Sequence, residues 1–329
     1  MRALSVDAEP SAPHTGHMES ERATAFVTEA AGFMGTELVR VLVHRGHKVW
    51  GLTPSLDAAE HVRRAGGTPV IGDMRKPGRW QDEAAADWVF QLPSQDIRGS
   101  RMTEGRAASI SRDRLLMDSR LLDSVAGGAT RRIVYVADAS CYGPVGLRPV
   151  TEDEQPRPSN WGRHFKPVLH RLDGYGVAGL PIVTAFPGWV YGNGSWFRER
   201  IVNPVMSGRH ILQCGQIAPW VSPIHVHDCA RALVHLAEHG AAGGRYFVVN
   251  NDPVRLNEFS AAFSRLANRP LHVWRLPAPA ARLLAGPILA DLIQADAVFA
   301  NIRLRGTGFR FRFPTLELGL QQILGVFHE

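Results

Sequence analysis

A regular alternation sets the first limit on what this chain can fold into. Short apolar runs of strand length recur at Ala23–Thr28, His47–Leu52, Thr68–Gly72, Ala86–Leu92, Arg132–Ala137 and Pro181–Ala185. Between them lie stretches whose apolar residues return every three to four positions. Gly35–Arg45 carries Leu38, Val39, Leu42 and Val43 on one stripe and stops at Gly46. Asp57–Ala65 reads as a short helix, and Ser109–Val125 as a longer one with Leu115, Leu116, Leu121 and Leu122. Strands separated by helices pair in parallel, because a parallel neighbour needs a crossover of about a dozen residues. The expected fold class is therefore α/β, a doubly wound parallel sheet with its ligand beyond the carboxyl ends of the strands. After Pro187 the rhythm gives way to short mixed elements, such as the cluster Leu276–Pro287.

Composition removes several function classes. The 329 residues are 45% hydrophobic and 21% charged, which excludes a disordered or fibrous chain. The net charge is +6, yet the basic residues are scattered and only Lys48, Lys76 and Lys166 are lysines. No nucleic-acid or membrane partner is expected from that pattern. Cys141, Cys214 and Cys229 are an odd number, far apart and without a C-x-x-C pair, so a reducing cytoplasm is the expected location. Residues 1–22 are polar and rich in Pro, Ser, Glu and His, and read as a disordered tail. His225-x-His227-Asp228 has the spacing of metal ligands, but Asp228 reads as the N-cap of a helix from Cys229 to His239, and no metal is expected. Phe309, Phe311 and Phe313 alternate with Arg310 and Arg312, the pattern of a half-buried edge strand.

The turn Thr28-Glu29-Ala30-Ala31-Gly32-Phe33-Met34-Gly35 lies between the first strand and the first helix. There the chain resembles the extended or atypical short-chain dehydrogenase/reductases, the NAD-dependent epimerase/dehydratase-like group, whose turn reads T-G-x-x-G-x-x-G. Val134–Gly143, Gly179–Gly194, the IHVHD segment at Ile224–Asp228 and the tail Gly308–Leu324 extend the resemblance over residues 24–324. It implies a Rossmann-like nucleotide-binding domain over residues 23–186. A small mixed lobe over 187–329, mainly substrate-binding and interleaved with the first, would complete it. Gly32 and Gly35 would let the backbone approach a pyrophosphate, with Thr28, Ala30, Phe33, Met34, Asp73, Met74, Leu92 and Pro187 along the cofactor groove. The first glycine is replaced by Glu29, which adds a Cβ and a carboxylate beside the phosphates. NADP or NAD is thus as compatible with the turn as no dinucleotide at all. The lack of an acidic residue in Thr53-Pro54-Ser55 favours NADP, with Arg63 or Arg64 beside its phosphate.

The family's usual acid/base is a tyrosine with a lysine four residues later, on one helix face. No Tyr-x-x-x-Lys occurs in this chain. By distance from the flanking landmarks, Trp161 takes the place of the tyrosine and Phe165 that of the lysine, Lys166 is one residue late, and Asp138 takes the place of the serine. Neither an indole nor a phenyl ring transfers protons near neutral pH. The candidate catalytic residues are Asp138, in a partly apolar cleft where its pKa would rise, with His164, Trp161 and Lys166. Ser140, Phe165, Trp189 and Trp196 are candidates for an aromatic substrate pocket. The expected function is a small-molecule enzyme of non-classical, non-redox chemistry in secondary metabolism: cyclisation, isomerisation, dehydration or C–C cleavage. An NADP-dependent reductase or epimerase with a replaced acid/base, and a non-catalytic ligand sensor, are the alternatives. The expected partner is a small-molecule substrate, with a homodimer left open.

Overall fold

The computed structural model describes residues 22–93, 101–144 and 146–325. All but one residue of the expected tail lies outside them. The chain runs β1 (Thr24–Val27), α1 (Phe33–His44), β2 (Lys48–Thr53), α2 (Leu56–Arg64), β3 (Thr68–Ile71), α3 (Trp80–Glu83), β4 (Trp88–Gln91), α4 (Glu104–Val125) and β5 (Arg132–Val136). A 3-10 turn at Ala139–Tyr142 precedes β6 (Gly146–Val150), α5 (Asn160–Val177) and β7 (Ile182–Pro187). Then come β8 (Trp189–Tyr191), α6 (Asn203–Met206), β9 (Ile211–Cys214), β10 (Trp220–Val221), β11 (Pro223–His225), α7 (Val226–His239) and β12 (Arg245–Val248). The last elements are β13 (Val254–Arg255), α8 (Leu256–Leu266), β14 (Val273–Leu276), α9 (Ala278–Ala285), α10 (Pro287–Leu292), β15 (Ala297–Phe299), α11 (Ile302–Gly306) and α12 (Leu316–Leu324).

Seven strands make one parallel sheet in the order β12-β7-β5-β4-β1-β2-β3. The winding reverses at β1, which pairs with β2 on one side and β4 on the other. Reversal opens a crevice at the carboxyl ends of those strands. The fold is thus the expected doubly wound Rossmann-like α/β architecture, with a four-stranded mixed sheet, β13-β10-β15-β6, beside it. Successive side chains of a strand face opposite ways. Ala25 and Val27 accordingly join Leu38 and Leu42 of α1 and Leu233 and Leu236 of α7 on one side of the sheet. Phe26 joins Leu121 and Leu122 of α4 and Val168 and Leu172 of α5 on the other.

Three expectations are corrected. Phe309–Phe313 forms no strand. The buried carboxylate of Asp228 accepts the backbone N–H groups of Arg312 (2.9 Å) and Phe313 (2.7 Å), pairs with Arg231 at 2.8 Å, and so fixes this segment to α7 as irregular chain. Asp228 is not the N-cap of α7, because the helix begins at Val226 rather than Cys229; that place belongs to His225, whose ring accepts the His227 N–H. Helix α4 begins at Glu104 rather than Ser109, capped by the Thr103 hydroxyl, which accepts the Arg106 N–H. Helix α5 runs through Pro167, although proline removes one intrahelical hydrogen bond. The carbonyl left without its helical partner is that of Arg163, and the next carbonyl, that of His164, accepts a hydrogen bond from Ser111 of α4. The three cysteines are unpaired thiols. No helix of the described residues is long and apolar enough to cross a membrane.

Candidate functional site

A cleft of about 570 Å³ opens at the carboxyl ends of β1, β2, β4 and β5. One end is lined by Glu29, Thr53, Pro54, Asp73, Met74 and Arg75, the other by Val136, Ala137, Asp138, Cys141, Phe165 and Leu169.

The first end is shaped by backbone. Gly32 is the N-cap of α1 and brings no side-chain cap; the first turn of the helix holds no acidic residue. Its amides and the positive end of the helix dipole therefore suit an anion. A Cβ on Gly35 would lie 2.0 Å from the Glu29 carbonyl oxygen, so only glycine lets the helix sit this close to the turn. Glu29 itself holds φ = 50°, the left-handed conformation a glycine would take without strain. Thr53, at the end of β2, is buried with its hydroxyl unpartnered among the described residues. Asp73 is held by Arg75, which donates to it from both its side chain and its backbone and keeps the carboxyl below the usual aspartate range. These groups fit the adenosine and phosphate part of a dinucleotide. Arg63 and Arg64, expected beside a phosphate, pair with Glu60 on α2 instead and do not line the cleft; Arg75 does.

Thr28, Ala30 and Leu92 are buried in the strand ends rather than lining the cleft, the Thr28 hydroxyl accepting the Leu92 N–H at 2.9 Å. Met34 packs against Cys229, and the Phe33 ring lies close to Gly192. Pro187 closes β7.

At the second end Asp138 caps the 3-10 turn. Its Oδ1 accepts the Ser140 N–H at 2.9 Å and its Oδ2 accepts the Trp161 indole N–H at 2.6 Å. Both oxygens are thus hydrogen-bonded within a lining that is otherwise largely apolar at this end. Trp161 is buried behind the cleft, and Phe165, 4.9 Å from it between ring centroids, supplies the lining. Gly162 lets α5 approach this closely, since a Cβ there would lie 2.1 Å from the Ser140 carbonyl oxygen. Lys166 is exposed, and His164 lies 3.0 Å from Glu104; neither lines the cleft, nor does Ser140. Trp189 and Trp196 form an edge-to-face pair at 5.2 Å, half-buried against a separate apolar cluster that includes Tyr191, Phe197 and Phe259. The aromatic residues expected in one pocket are thus divided: Phe165 lines the cleft in front of Trp161, and Trp189 and Trp196 do not line it. Burial pushes the Cys141 thiol up, away from the thiolate form that a nucleophile needs.

Sequence reasoning missed the floor of the cleft. Arg114 of α4 donates to Asp118 (3.0 Å) and Tyr135 (2.9 Å), and also reaches the carbonyls of Leu92 (3.2 Å) and Val136 (3.3 Å). Asp118 accepts from Gln91 at 2.6 Å and from the Tyr135 hydroxyl. All four side chains are buried, and burial raises the Tyr135 phenol well above its usual range. The network ties α4 to the ends of β4 and β5. A signal for it was present: Arg114 and Asp118 occupy the same helical stripe as Leu121, Leu122 and Val125.

The sequence pattern of the NAD dependent epimerase/dehydratase family matches residues 25–250. An uncharacterised protein of Schizosaccharomyces pombe is 25% identical over 255 residues, 75% of this chain and 81% of that protein. Among solved structures, the human epimerase family protein SDR39U1 with NADPH superposes with a TM-score of 0.74 at 22% identity, covering 92% of this chain and 99% of that one. The UDP-glucose 4-epimerase of Thermus thermophilus with NAD gives 0.74 at 20% identity, covering 92% and 98%.

Proposed function

This chain belongs to the NAD-dependent epimerase/dehydratase family, and on that premise we propose that it is a small-molecule enzyme working without hydride transfer, with Asp138 as its general base. The observation that carries the reading is the 2.6 Å hydrogen bond from the Trp161 indole to Asp138, in the place of a tyrosine acid/base, with Phe165 where a lysine would stand. Two N–H donors orient the carboxylate. An ionised carboxylate has about four acceptor sites, so both oxygens keep capacity for a substrate proton. Removal of a proton from carbon beside a carbonyl, or from a hydroxyl, serves isomerisation, dehydration, cyclisation or retro-aldol cleavage.

A bound nicotinamide would supply hydride exchange. Gly32, Gly35, Thr53 and Arg75 would hold its adenosine half, while Phe165 offers the ribose no donor. The retained turn favours a second reading, an NADP-dependent reductase or epimerase in which Asp138 replaces the usual acid/base.

Solvent deuterium incorporation into a panel of hydroxy-carbonyl compounds and nucleotide sugars, followed by NMR, tests the proposal. Wild-type exchange should fall about 100-fold or more in Asp138→Asn, recover in part in Asp138→Glu, and leave NADPH absorbance unchanged. Equal rates in Asp138→Asn would remove the base from the mechanism. Stoichiometric NADPH oxidation would favour the reductase, and no turnover of any compound a binding protein.

A further inference from the structure

At the carboxyl end of α7, far in sequence from the cleft residues, three ligand-bearing side chains meet. One ligand atom each of His235, Glu238 and His239 lies within 4.8 Å of the others. Spacings of three and four residues bring them to one helix face. The two imidazole rings are 4.4 Å apart between centroids. His235 Nε2 faces the Thr307 carbonyl oxygen at 3.2 Å and its hydroxyl at 2.9 Å. A carbonyl only accepts, so Nε2 carries the proton and Nδ1 keeps the lone pair of the neutral ring. A histidine that donates one ring N–H to a carbonyl and offers the other nitrogen is arranged as metal-binding histidines are.

Glu238 is oriented from the other side by Arg45 at the end of α1, whose guanidinium lies 3.0 Å from both carboxylate oxygens. A carboxylate can serve a guanidinium and an ion together, because each oxygen has two lone pairs. Arg45 nevertheless weakens the pull on a hard cation, whereas two imidazoles favour a borderline one.

We propose that His235, Glu238 and His239 form a binding site for a divalent transition ion, with zinc as the fitting occupant. Tetrahedral zinc at about 2.0–2.2 Å from each atom needs the ligands to close in, and solvent completes the coordination. His239, with 56% of its side chain exposed, is free to turn toward the ion. His235 is tied to Thr307 just after α11, and its ring packs on Phe309. The ion would therefore join α7 and, through Arg45, α1 to the segment that leads into Phe309–Phe313.

The test is calorimetric titration of the untagged full chain with zinc chloride, beside His239→Ala and Glu238→Gln. The wild type should bind one more equivalent than His239→Ala, with Glu238→Gln weaker by about tenfold for loss of a charged ligand. At ten times the dissociation constant the melting temperature should rise by about 2 °C or more, and the rise should vanish in His239→Ala. His239→Ala removes an exposed side chain, so the fold is retained, and an unchanged melting temperature without metal confirms it. No zinc binding by the wild type, or binding of equal stoichiometry and affinity in His239→Ala (an ion held by other histidines or by cysteine), would overturn the site.

Discussion

The two ends of the cleft lie on the same sheet, yet they have kept different things. At the Glu29 end the main chain keeps the shape of a glycine-rich strand-to-helix turn: Gly32 and Gly35 pack the helix against it, and Glu29 holds the left-handed geometry that suits a glycine. At the Asp138 end the main chain is also tightly packed, with Gly162 against Ser140, but an indole and a phenyl ring stand where acid/base side chains were expected. Backbone approach is set by packing and resists change. The chemistry of the side chains packed beside that backbone can change while the close approach is kept.

Variants can break or sharpen that contrast. The largest effect should come from beneath both ends: Asp118→Ala leaves the Arg114 charge buried and unpaired, and should cost about 3–5 kcal/mol in denaturant unfolding. A cost below about 1 kcal/mol would mean that the network does not hold β4 and β5 in place.

Next come the two glycines. Gly35→Ala and Gly162→Ala each force a Cβ onto a carbonyl oxygen, and each should cost about 1–3 kcal/mol or more. Equal losses would support a common packing constraint at both ends; a harmless Gly162→Ala would show that α5 can move at the Asp138 end.

How much of this was legible depends on range. The strands, the stripe Leu38–Leu42 and the turn to Gly35 follow from local periodicity, and they set the sheet and the position of the cleft. The Phe309–Phe313 alternation misled, because its fate is decided by a carboxylate more than eighty positions away at Asp228. Arg114 and Asp118 lie on the apolar stripe of α4, yet charges there read as solvent-facing until their partners Gln91 and Tyr135 are in place. The replacement of the tyrosine by Trp161 could be aligned from sequence. Its hydrogen bond to Asp138, across 23 positions, could not.

The smallest effect should sit at the turn. A left-handed non-glycine residue costs about 1–2 kcal/mol, partly offset by the unfolded-state entropy of glycine, so Glu29→Gly should stabilise by about 0.5–1 kcal/mol. It should also tighten NADPH binding by removing a carboxylate from beside the phosphates. Destabilisation would show that the glutamate side chain makes a contact the turn depends on.

The most direct test of the contrast compares NADPH with 2′-phospho-ADP-ribose, which lacks only the nicotinamide, in parallel calorimetric titrations. If one end still holds the nucleotide and the other no longer serves hydride chemistry, both ligands should bind with dissociation constants within about threefold of each other. NADPH binding tighter by about tenfold, or 1.4 kcal/mol, would place a functional nicotinamide site beside Asp138 and contradict the account, as would failure of both ligands to bind at all.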